Sequence, residues 1–391
     1  MKKTLVALAA LATVGAAFAQ STVTLYGRAD FSLGVFTQKI GGVRTTDNNK
    51  GLELAAGNAK GETGSRWGLK GTEDLGGGNR ALFQFENGFS IDTGFGQQNG
   101  RLFGRQAFAG LGGGWGTVTF GRQYTPLDSI WASYDAQDYN TSAPLNYAFN
   151  NGPRNTLVTS AAVVGVHTDT GRVDNSILYA TPNLGGFTGS LMFAPGENKN
   201  PTAGTGATRY WGFSAQYANG PLGVGLAYES ANAKGGTAAT NGTVTNWTLG
   251  GQYDFGPAKA YGLYERARST LANGQPGTST FTPATVPAGT DLLTTNAITA
   301  AQNGAGTDRG WDIGVAVPLG AATFAVSYAQ ERTNAQGSNL NGKNRYYGAQ
   351  VKYSLSKRTR VYSMLLSGDS TTAAGLKTKN TNYLVGMRHE F

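Results

Sequence analysis

The chain has 391 residues, a formal net charge of +9 and no cysteine. Glycine supplies 59 residues and proline only 12, while charged residues make up 14% against a usual share of about 25%. The low proline content excludes a Pro/Gly-rich linker protein or a collagen, and the lack of cysteine excludes a disulfide framework. Lysines and arginines are scattered singly without a basic run, so the positive charge does not indicate a nucleic-acid-binding protein.

The chain opens with the features of an export signal. Two lysines precede an apolar or small stretch over residues 4–16, and the sequence AFA at 17–19 matches the small-x-small pattern of a cleavage site. The apolar run is shorter than the roughly 20 residues that a membrane-spanning helix needs. We therefore predict that residues 1–19 are a signal peptide, cleaved before Gln20, and that residues 20–391 form one exported domain.

The segment after the signal alternates between apolar and polar side chains. In TLYGRADFSLGV (24–35), Leu25 and Phe31 share one face, whereas Arg28 and Asp30 lie on the other. The same period of two recurs in YWGFSAQYA, TNWTLGGQYDF, DRGWDIGVAV and NRYYGAQVKYSL. No stretch after the signal reaches 18 consecutive apolar residues, which excludes transmembrane helices. The alternation predicts strands with one apolar and one polar face.

Two kinds of connection separate these strands. Seven are tight turns, at 75–79, 112–116, 182–186, 219–223, 255–258, 318–321 and 354–358. Eight are long and polar, near 37–62, 91–101, 125–172, 195–208, 233–243, 270–306, 332–342 and 369–379. Seven turns and eight loops join sixteen strands, and short turns on one side with long loops on the other are typical of bacterial outer-membrane barrels. We therefore predict an all-β fold, a transmembrane antiparallel 16-stranded β-barrel with short periplasmic turns and long extracellular loops.

We expect the sheet to close, because lipid offers no partner to the backbone of an open strand edge. The last segment, NYLVGMRHEF, alternates like the first and ends on Phe391, so the two are expected to pair. A soluble β-sandwich, propeller or solenoid is the alternative fold. Aromatic residues concentrate near the strand ends, as in the girdles of membrane barrels, and no internal repeat of fixed period is present. Both observations favour the membrane barrel.

Several segments resemble one known family. They are TLYGRADFSLG at the start, SRWGLKGTEDLGGGNRALFQFENGF (65–89), RQAFAGLGGGWGTVTFGRQY (105–124), RVDNSILYATPNLGGFTG (172–189) and the terminal Phe391. Together they resemble the trimeric sixteen-stranded general diffusion porins of Gram-negative outer membranes, most closely the beta-proteobacterial branch. The resemblance runs from the signal peptide to the last residue and is loose through the long loops.

The resemblance implies a water-filled channel for passive diffusion of small hydrophilic solutes and ions, narrowed by an inward-folded third loop. It implies a homotrimer in the cell outer membrane, in contact with outer-membrane lipid and lipopolysaccharide. No nucleic acid partner, cofactor or metal is expected.

The resemblance also implies four basic positions on the pore wall that face acids of the third loop. They are Arg28 of LYGRA, Arg66 of SRWGLKG, Arg105 of RQAFAGL and Arg172 of RVDNS. Alternation alone places Arg28 and Arg66 on the polar face. It places Lys70 there as well, and we rank Lys70 below the arginines as a basic residue of the constriction. A charge on the lipid face would cost about 2–4 kcal/mol near the middle of the membrane, so the lumen is the favourable side. The alternative is that these arginines only make the lumen wall hydrophilic, or that they pair with acids such as Asp30.

The third long loop, residues 125–172, is too long for a passive connection, because loops above about 12–15 residues are usually functional or disordered. We predict that its Asp135 and Asp138 face the arginines, whereas Asp128 could equally anchor the loop. The Pro-Glu-Phe-Gly type of loop tip found in enteric relatives is missing. Four cations against two or three acids predict a narrowing with a mild preference for anions.

Three other functions remain alternatives. An outer-membrane enzyme would need a nucleophile with a base, but His167 and His389 belong to no nucleophile motif, so no enzyme activity is expected. A substrate-specific porin for a sugar or an anionic solute would use an aromatic slide or a dense lysine array, and the tyrosines of the third loop leave this open. A structural or adhesive barrel would show no conductance in single-channel recordings.

Overall fold

The computed structural model describes residues 22–44, 53–55, 61–98, 100–149, 171–196, 207–234, 242–271, 306–335, 341–371 and 377–391. Across these ranges eighteen strands form one sheet. They are β1 (Thr22–Ile40), β2 (Val43–Arg44), β3 (Glu53–Ala55), β4 (Ser65–Gly76), β5 (Asn79–Phe89), β6 (Gln106–Gly113), β7 (Gly116–Tyr124), β8 (Arg172–Ala180), β9 (Phe187–Ala194), β10 (Ala207–Asn219), β11 (Leu222–Lys234), β12 (Gly242–Asp254), β13 (Lys259–Leu271), β14 (Gly306–Leu319), β15 (Ala322–Ala335), β16 (Asn341–Ser354), β17 (Thr359–Thr371) and β18 (Lys377–Glu390). The predicted signal peptide and His167 lie outside the described residues.

The sheet closes into a barrel of sixteen longer strands. β2 and β3 are short strands of the first long loop and pair with β1, while each longer strand pairs antiparallel with its chain neighbours. β18 pairs with β1 from Arg28 opposite Glu390 to Ile40 opposite Thr378. The backbones of Phe391 and Gly27 exchange two hydrogen bonds of 3.1 Å, so the last residue completes the closure. The predicted 16-stranded antiparallel barrel is confirmed.

Turns and loops alternate along the barrel as the sequence predicts. The seven tight turns join β4–β5, β6–β7, β8–β9, β10–β11, β12–β13, β14–β15 and β16–β17 at one end of the barrel, and the long loops leave the other end. The turn after β4 contains Gly76, Gly77 and Gly78, all with positive φ, a conformation that glycine adopts without steric cost. No helix of the described residues is long and apolar enough to cross a membrane.

The two faces of the strands differ in exposure and polarity. On β1, the apolar Leu25 and Leu33 are exposed on the outside, whereas Asp30 and Ser32 are buried inside. Aromatic pairs lie on the outer face, with ring centroids 5.0 Å apart for Trp211–Tyr228, 5.2 Å for Trp247–Tyr264 and 5.1 Å for Trp311–Tyr328. An apolar exterior with aromatic residues and a polar interior is the arrangement of an outer-membrane barrel.

The third long loop folds into the barrel interior. It carries two helices, α1 (Pro126–Ser133) and α2 (Pro144–Phe149). The hydroxyl of Thr125 caps α1 by accepting a 3.3 Å hydrogen bond from the backbone N–H of Asp128, with proline in the first turn. The loop side chains Leu127, Ile130, Trp131, Leu145 and Phe149 are buried against wall residues that include Ala227, Leu263 and Ala329. Burial of this apolar surface holds the loop against the wall.

Glycines of the wall allow the loop to approach closely. A Cβ atom on Gly250 would lie 2.4 Å from the Tyr134 ring, and one on Gly310 would lie 2.4 Å from the Phe149 ring. Any larger residue at these positions would push the loop inward or displace its aromatic side chains. Part of the high glycine content of the chain therefore allows the third loop to pack closely against the barrel wall.

Candidate functional site

A cavity of about 450 Å³ lies between the barrel wall and the third loop. Its charged lining residues are Arg28, Arg66, Arg105 and Arg172 on the wall and Asp128 and Asp138 on the loop. Tyr124, Tyr139, Thr63 and Asn146 also line it. Four basic positions named from the sequence and two of the three named acids therefore meet around one space.

Glu86 on β5 connects two of the arginines. The Nε atom of Arg105 donates a 2.7 Å hydrogen bond to Oε1 of Glu86, and Nη1 of Arg66 lies 4.0 Å from the same oxygen. The hydroxyl of Tyr26 donates to the other carboxylate oxygen at 3.0 Å. Sequence reasoning did not single out Glu86, although alternation along β5 places it on the polar face. Glu86 anchors the guanidinium group of Arg105 and offsets part of the charge of both arginines.

Tyr124 at the end of β7 joins Arg105 to Arg172. Its hydroxyl accepts a 2.7 Å hydrogen bond from Nη2 of Arg105 and another from Nη2 of Arg172. The guanidinium of Arg172 also lies 4.1 Å from the centroid of the Tyr124 ring. Stacking and hydrogen bonding together hold the planar group in one orientation. Arg172, the first residue of β8, is thus held on the barrel wall.

Arg28 lies directly opposite Arg66 in the register of β1 and β4. Its Nη2 atom donates to Glu390 at 2.7 Å and its Nη1 atom to the Thr63 hydroxyl at 3.0 Å. Asp30, the alternative partner, instead accepts hydrogen bonds from the backbone N–H of Thr63 at 2.9 Å and from a buried tyrosine hydroxyl. Like charges directly opposite each other destabilise a sheet, and Glu390 offsets that repulsion at Arg28.

A segment of the first long loop also enters the interior at residues 61–64. Glu62 of this segment is buried among three cations, with Nζ of Lys352 and Nη1 of Arg388 each 3.3 Å from its Oε1 atom and Arg360 also paired to it. The backbone N–H of Thr141 in the third loop donates to the Glu62 carbonyl at 3.1 Å. The two loops therefore contact each other beside the arginines.

Sequence reasoning missed this second cluster. Alternation places Lys352 and Arg388 on the polar face, but it gives no sign that a carboxylate from the first loop lies between them. Glu62 is 300 residues from Tyr362, whose hydroxyl accepts a hydrogen bond of 3.2 Å from the Glu62 backbone N–H. Contacts over such a separation leave no local pattern in the sequence.

The acids of the third loop have different surroundings. The carboxylate of Asp138 is 64% exposed, lines the cavity and pairs with Lys352. Asp128 also lines the cavity and accepts a 2.9 Å hydrogen bond from the Tyr139 hydroxyl. Asp128 thus faces the arginines while bonding within its own loop.

Asp135 does not line the cavity, and its expected position facing the arginines is wrong. Its buried carboxylate accepts hydrogen bonds from the backbone N–H groups of Gln137 at 2.9 Å and Tyr139 at 3.0 Å. Asp138 and Tyr139 have positive φ, and these bonds hold that turn in place. Burial and the negative charge of Asp138 raise the pKa of Asp135 to about 6.

Lys70 lies outside the cavity as well. It is exposed on β4, toward the turn end of the strand, and its Nζ atom lies 5.0 Å from the centroid of the Tyr26 ring. It shares a face with Arg66 but does not join the cluster, because it is four residues farther along the strand. Within the described ranges, no group of three or more His, Asp or Glu side chains is arranged to hold a metal ion.

Comparisons with known proteins agree with this architecture. Residues 4–373 match the family model described as Gram-negative porin. The chain is 33% identical to an outer membrane porin protein of Bordetella pertussis over 408 aligned residues, which cover 100% of both proteins. It is 36% identical to outer membrane porin protein 32 of Delftia acidovorans over 269 residues, 68% of this chain and 70% of that protein.

A solved structure gives the same result. The anion-selective porin from Comamonas acidovorans has a TM-score of 0.71 and 26% identity, and the match covers 95% of this chain and 100% of that one. The closed sixteen-stranded barrel of this chain agrees with that match. The chain belongs to the family of Gram-negative porins, the channel proteins of the outer membrane.

Proposed function

We propose that Arg28, Arg66, Arg105 and Arg172, facing Asp128 and Asp138, form the constriction of this porin and give it a mild preference for anions. The observation that carries the proposal is the convergence of four guanidinium groups and two carboxylates around one cavity. Arginine stays charged at physiological pH, and rings of arginine favour anions in a pore. The similar porin from Comamonas acidovorans is anion-selective, which supports the same preference in this chain.

The preference is mild because the arginines have partners. Glu86 and Glu390 each accept a 2.7 Å hydrogen bond from an arginine of the wall. Dissolved salt weakens the remaining field, since the Debye length is about 8 Å at physiological salt and about 3 Å at 1 M. We therefore expect the preference to be largest at low salt and to fade as salt is added.

Reversal potentials across a planar bilayer in a KCl gradient test the proposal. Arg66→Gln should lower the anion-to-cation permeability ratio about two- to fivefold at low salt, since a unit charge at about 4 Å in water contributes about 1 kcal/mol. The matched control is Arg358→Gln, which removes the same charge from the exposed β16–β17 turn. An unchanged ratio for Arg66→Gln, Arg28→Gln and Arg172→Gln alike would contradict the assignment.

A substrate-specific porin for a sugar or an anionic solute is the second candidate. It rests on the aromatic residues of the third loop, but Trp131, Tyr134 and Phe149 are buried against the wall. Among the described residues of the third loop, Tyr139 is the aromatic residue that lines the cavity. This burial leaves little ring surface for a slide, so general diffusion is favoured. Block of the single-channel current by one solute, and by no close analogue, would favour the specific porin instead.

The chain further fits a homotrimer. On the outer face of β4 and β5, loop residue Phe103 packs against Phe85 at 5.3 Å and Trp67 at 6.3 Å between ring centroids. The amide of Asn87 on the same face donates to the backbone carbonyls of residues 101 and 102. Polar groups and a folded-back loop suit a contact with another subunit better than lipid. Conductance steps in triplets, with a trimer mass in detergent, are the expected results.

The signal peptide cleaved before Gln20 belongs to the same proposal. Intact mass measurement of protein purified from outer membranes should give a chain that begins at Gln20. A mass that includes residues 1–19 would contradict it. The relatives named above are porins, which are channels, and we propose no enzyme activity for this chain.

A further inference from the structure

A second cavity, of about 310 Å³, lies between helix α1 of the third loop and the inner face of β8 to β10. Its wall residues are near the turn ends of these strands, which is the periplasmic side in this family of barrels. None of the described residues that line it carries a charge. We call it the hydroxyl-lined cavity, because its polar side chains include Thr188, Ser190, Ser214 and Gln216 on the wall and Thr125 and Ser129 at helix α1.

The register of β9 and β10 brings four of these polar side chains together. Ser190 lies directly opposite Ser214, and Thr188 lies opposite Gln216. The two serine hydroxyl oxygens are 2.8 Å apart. Successive residues of a strand point to opposite faces, so the four share the inner face of the wall. They form one continuous polar patch beside helix α1.

The hydroxyl-lined cavity offers donors, acceptors and apolar surface to a solute. Thr188 is exposed and Gln216 is half-buried, and the amide of Gln216 supplies both donors and an acceptor. The hydroxyl of Ser129 donates to the Pro126 carbonyl at 2.6 Å, which leaves the lone pairs of its oxygen to accept. Leu178 adds apolar surface to the lining. A sugar ring presents the complementary groups, hydroxyls at its edge and C–H groups on its faces.

The hydroxyl-lined cavity adjoins the arginine-lined cavity of about 450 Å³ described above. Tyr124 and Ser129 line both spaces. The Tyr124 hydroxyl accepts hydrogen bonds from Arg105 and Arg172, so a residue that borders the neutral cavity also positions two of the arginines. Two neighbouring spaces therefore differ in chemistry, since one is cationic and the other is neutral and rich in hydroxyls.

We propose that the hydroxyl-lined cavity is a subsite for the ring of a sugar acid whose carboxylate lies in the arginine-lined cavity. The inference rests on the proposed function, because the arginines must attract the carboxylate. Hydroxyl groups both donate and accept, so the subsite takes sugar acids as a class and does not select one epimer. Binding is weak, since a solute that crosses a pore must also leave its sites. A weak subsite of this kind is compatible with general diffusion.

Single-channel recording of the full mature protein in a planar bilayer tests the subsite, with D-glucuronate as the probe. Cyclohexanecarboxylate has a six-membered ring and a carboxylate without the hydroxyls, and D-glucose has the hydroxyls without the charge. In wild type, D-glucuronate should reduce the current at about tenfold lower concentration than either analogue, a factor that corresponds to about 1.4 kcal/mol. D-galacturonate, an epimer, should block at a concentration similar to that of D-glucuronate.

The test variant is Thr188→Val with Gln216→Leu, which removes polar groups and leaves the charge unchanged. The matched control is Thr323→Val with Gln252→Leu, the same change at half-buried positions near the turn ends of β15 and β12 and outside the lining of both cavities. The test variant should need about tenfold more D-glucuronate for the same block, whereas the control should match wild type. If the test variant does not fold, Thr188→Val alone carries the same comparison. An equal loss in variant and control would overturn the proposal.

A further arm separates this inference from the assignment of the constriction. Arg66→Gln should weaken the block by D-glucuronate and by cyclohexanecarboxylate alike, because both carry the carboxylate, and it should lower the anion preference in KCl. If it changes neither block nor preference, the assignment of the constriction fails. If it changes both while D-glucuronate and cyclohexanecarboxylate block wild type equally, the subsite alone is overturned. Block by D-glucuronate without block by D-galacturonate would overturn the assignment of a solute class in favour of a specific porin.

Discussion

The side chain of Arg105 donates a 2.7 Å hydrogen bond to Glu86, and both residues are buried in the channel wall. The same carboxylate also lies near Arg66, so one acid restrains the charge of two arginines. We therefore expect the ion selectivity of the channel to depend on buried acids of the wall as well as on the arginines that line the cavity. This relationship gives the first prediction.

Glu86→Gln should increase the anion preference of the channel. The amide keeps an acceptor for Arg105 but removes one negative charge, so the permeability ratio for anions over cations should rise about two- to fivefold at low salt. The loss of a buried charge partner should also lower stability, by about 1–3 kcal/mol. Reversal potentials and thermal unfolding measure the two effects. Glu73→Gln, exposed near the turn end of β4, is the control and should change neither.

Glu62→Gln, in the first long loop, should also increase the anion preference of the channel. Its carboxylate lies among Lys352, Arg360 and Arg388, and removing its charge leaves three cations without their shared acid. We expect a rise in anion preference and, because Arg360 and Arg388 regain freedom, larger current noise in the open channel. Single-channel recording at low salt measures both. Asp92→Asn in the exposed second loop is the control, and an equal response of both variants would contradict the role of Glu62.

Gly310→Ala should disturb the seating of the third loop. The added Cβ would lie 2.4 Å from the Phe149 ring, and overpacking of this kind typically costs about 1–3 kcal/mol. Hydrogen exchange of loop peptides that contain Phe149 should become faster, and the single-channel conductance should change. Gly262→Ala is a close control, because no atom lies within 4 Å of the Cβ position on this neighbouring strand. Equal exchange in the two variants would show that Gly310 does not hold the loop.

The barrel could be predicted from sequence because its signals are local. A period of two along each strand and glycine-rich turns between them fix the strand count, and alternation alone puts Arg28 and Arg66 inside. The interior of the pore depends on packing between distant segments. Asp135 was expected to face the arginines, yet its carboxylate organises a turn, and no pattern in the third loop distinguishes it from Asp138. Glu62 was missed because the first loop brings it to the wall from far along the chain.

The docking of the third loop should depend on pH through Asp135. Burial and the charge of Asp138 raise its pKa from the ordinary value of 3.8 to about 6, so the docked loop holds the proton more tightly than the undocked one. The stabilisation from that proton is fully present below pH 4 and is lost as pH rises through 6. The third loop should therefore be docked more firmly at pH 4 than at pH 7.5.

Hydrogen exchange of the third loop, corrected for the intrinsic effect of pH, should therefore be slower at pH 5 than at pH 7.5 in wild type. Asp135→Asn cannot ionise, so its docking should depend less on pH, although the buried carboxyl group of Asp312 nearby remains able to titrate. The protection of the loop from hydrogen exchange should fall somewhat at every pH in Asp135→Asn. The reason is that the amide has one acceptor oxygen for the two N–H groups of Gln137 and Tyr139. The slope with pH is thus the informative quantity. Asp92→Asn should keep the wild-type slope, and a wild-type slope in Asp135→Asn would show that another group titrates.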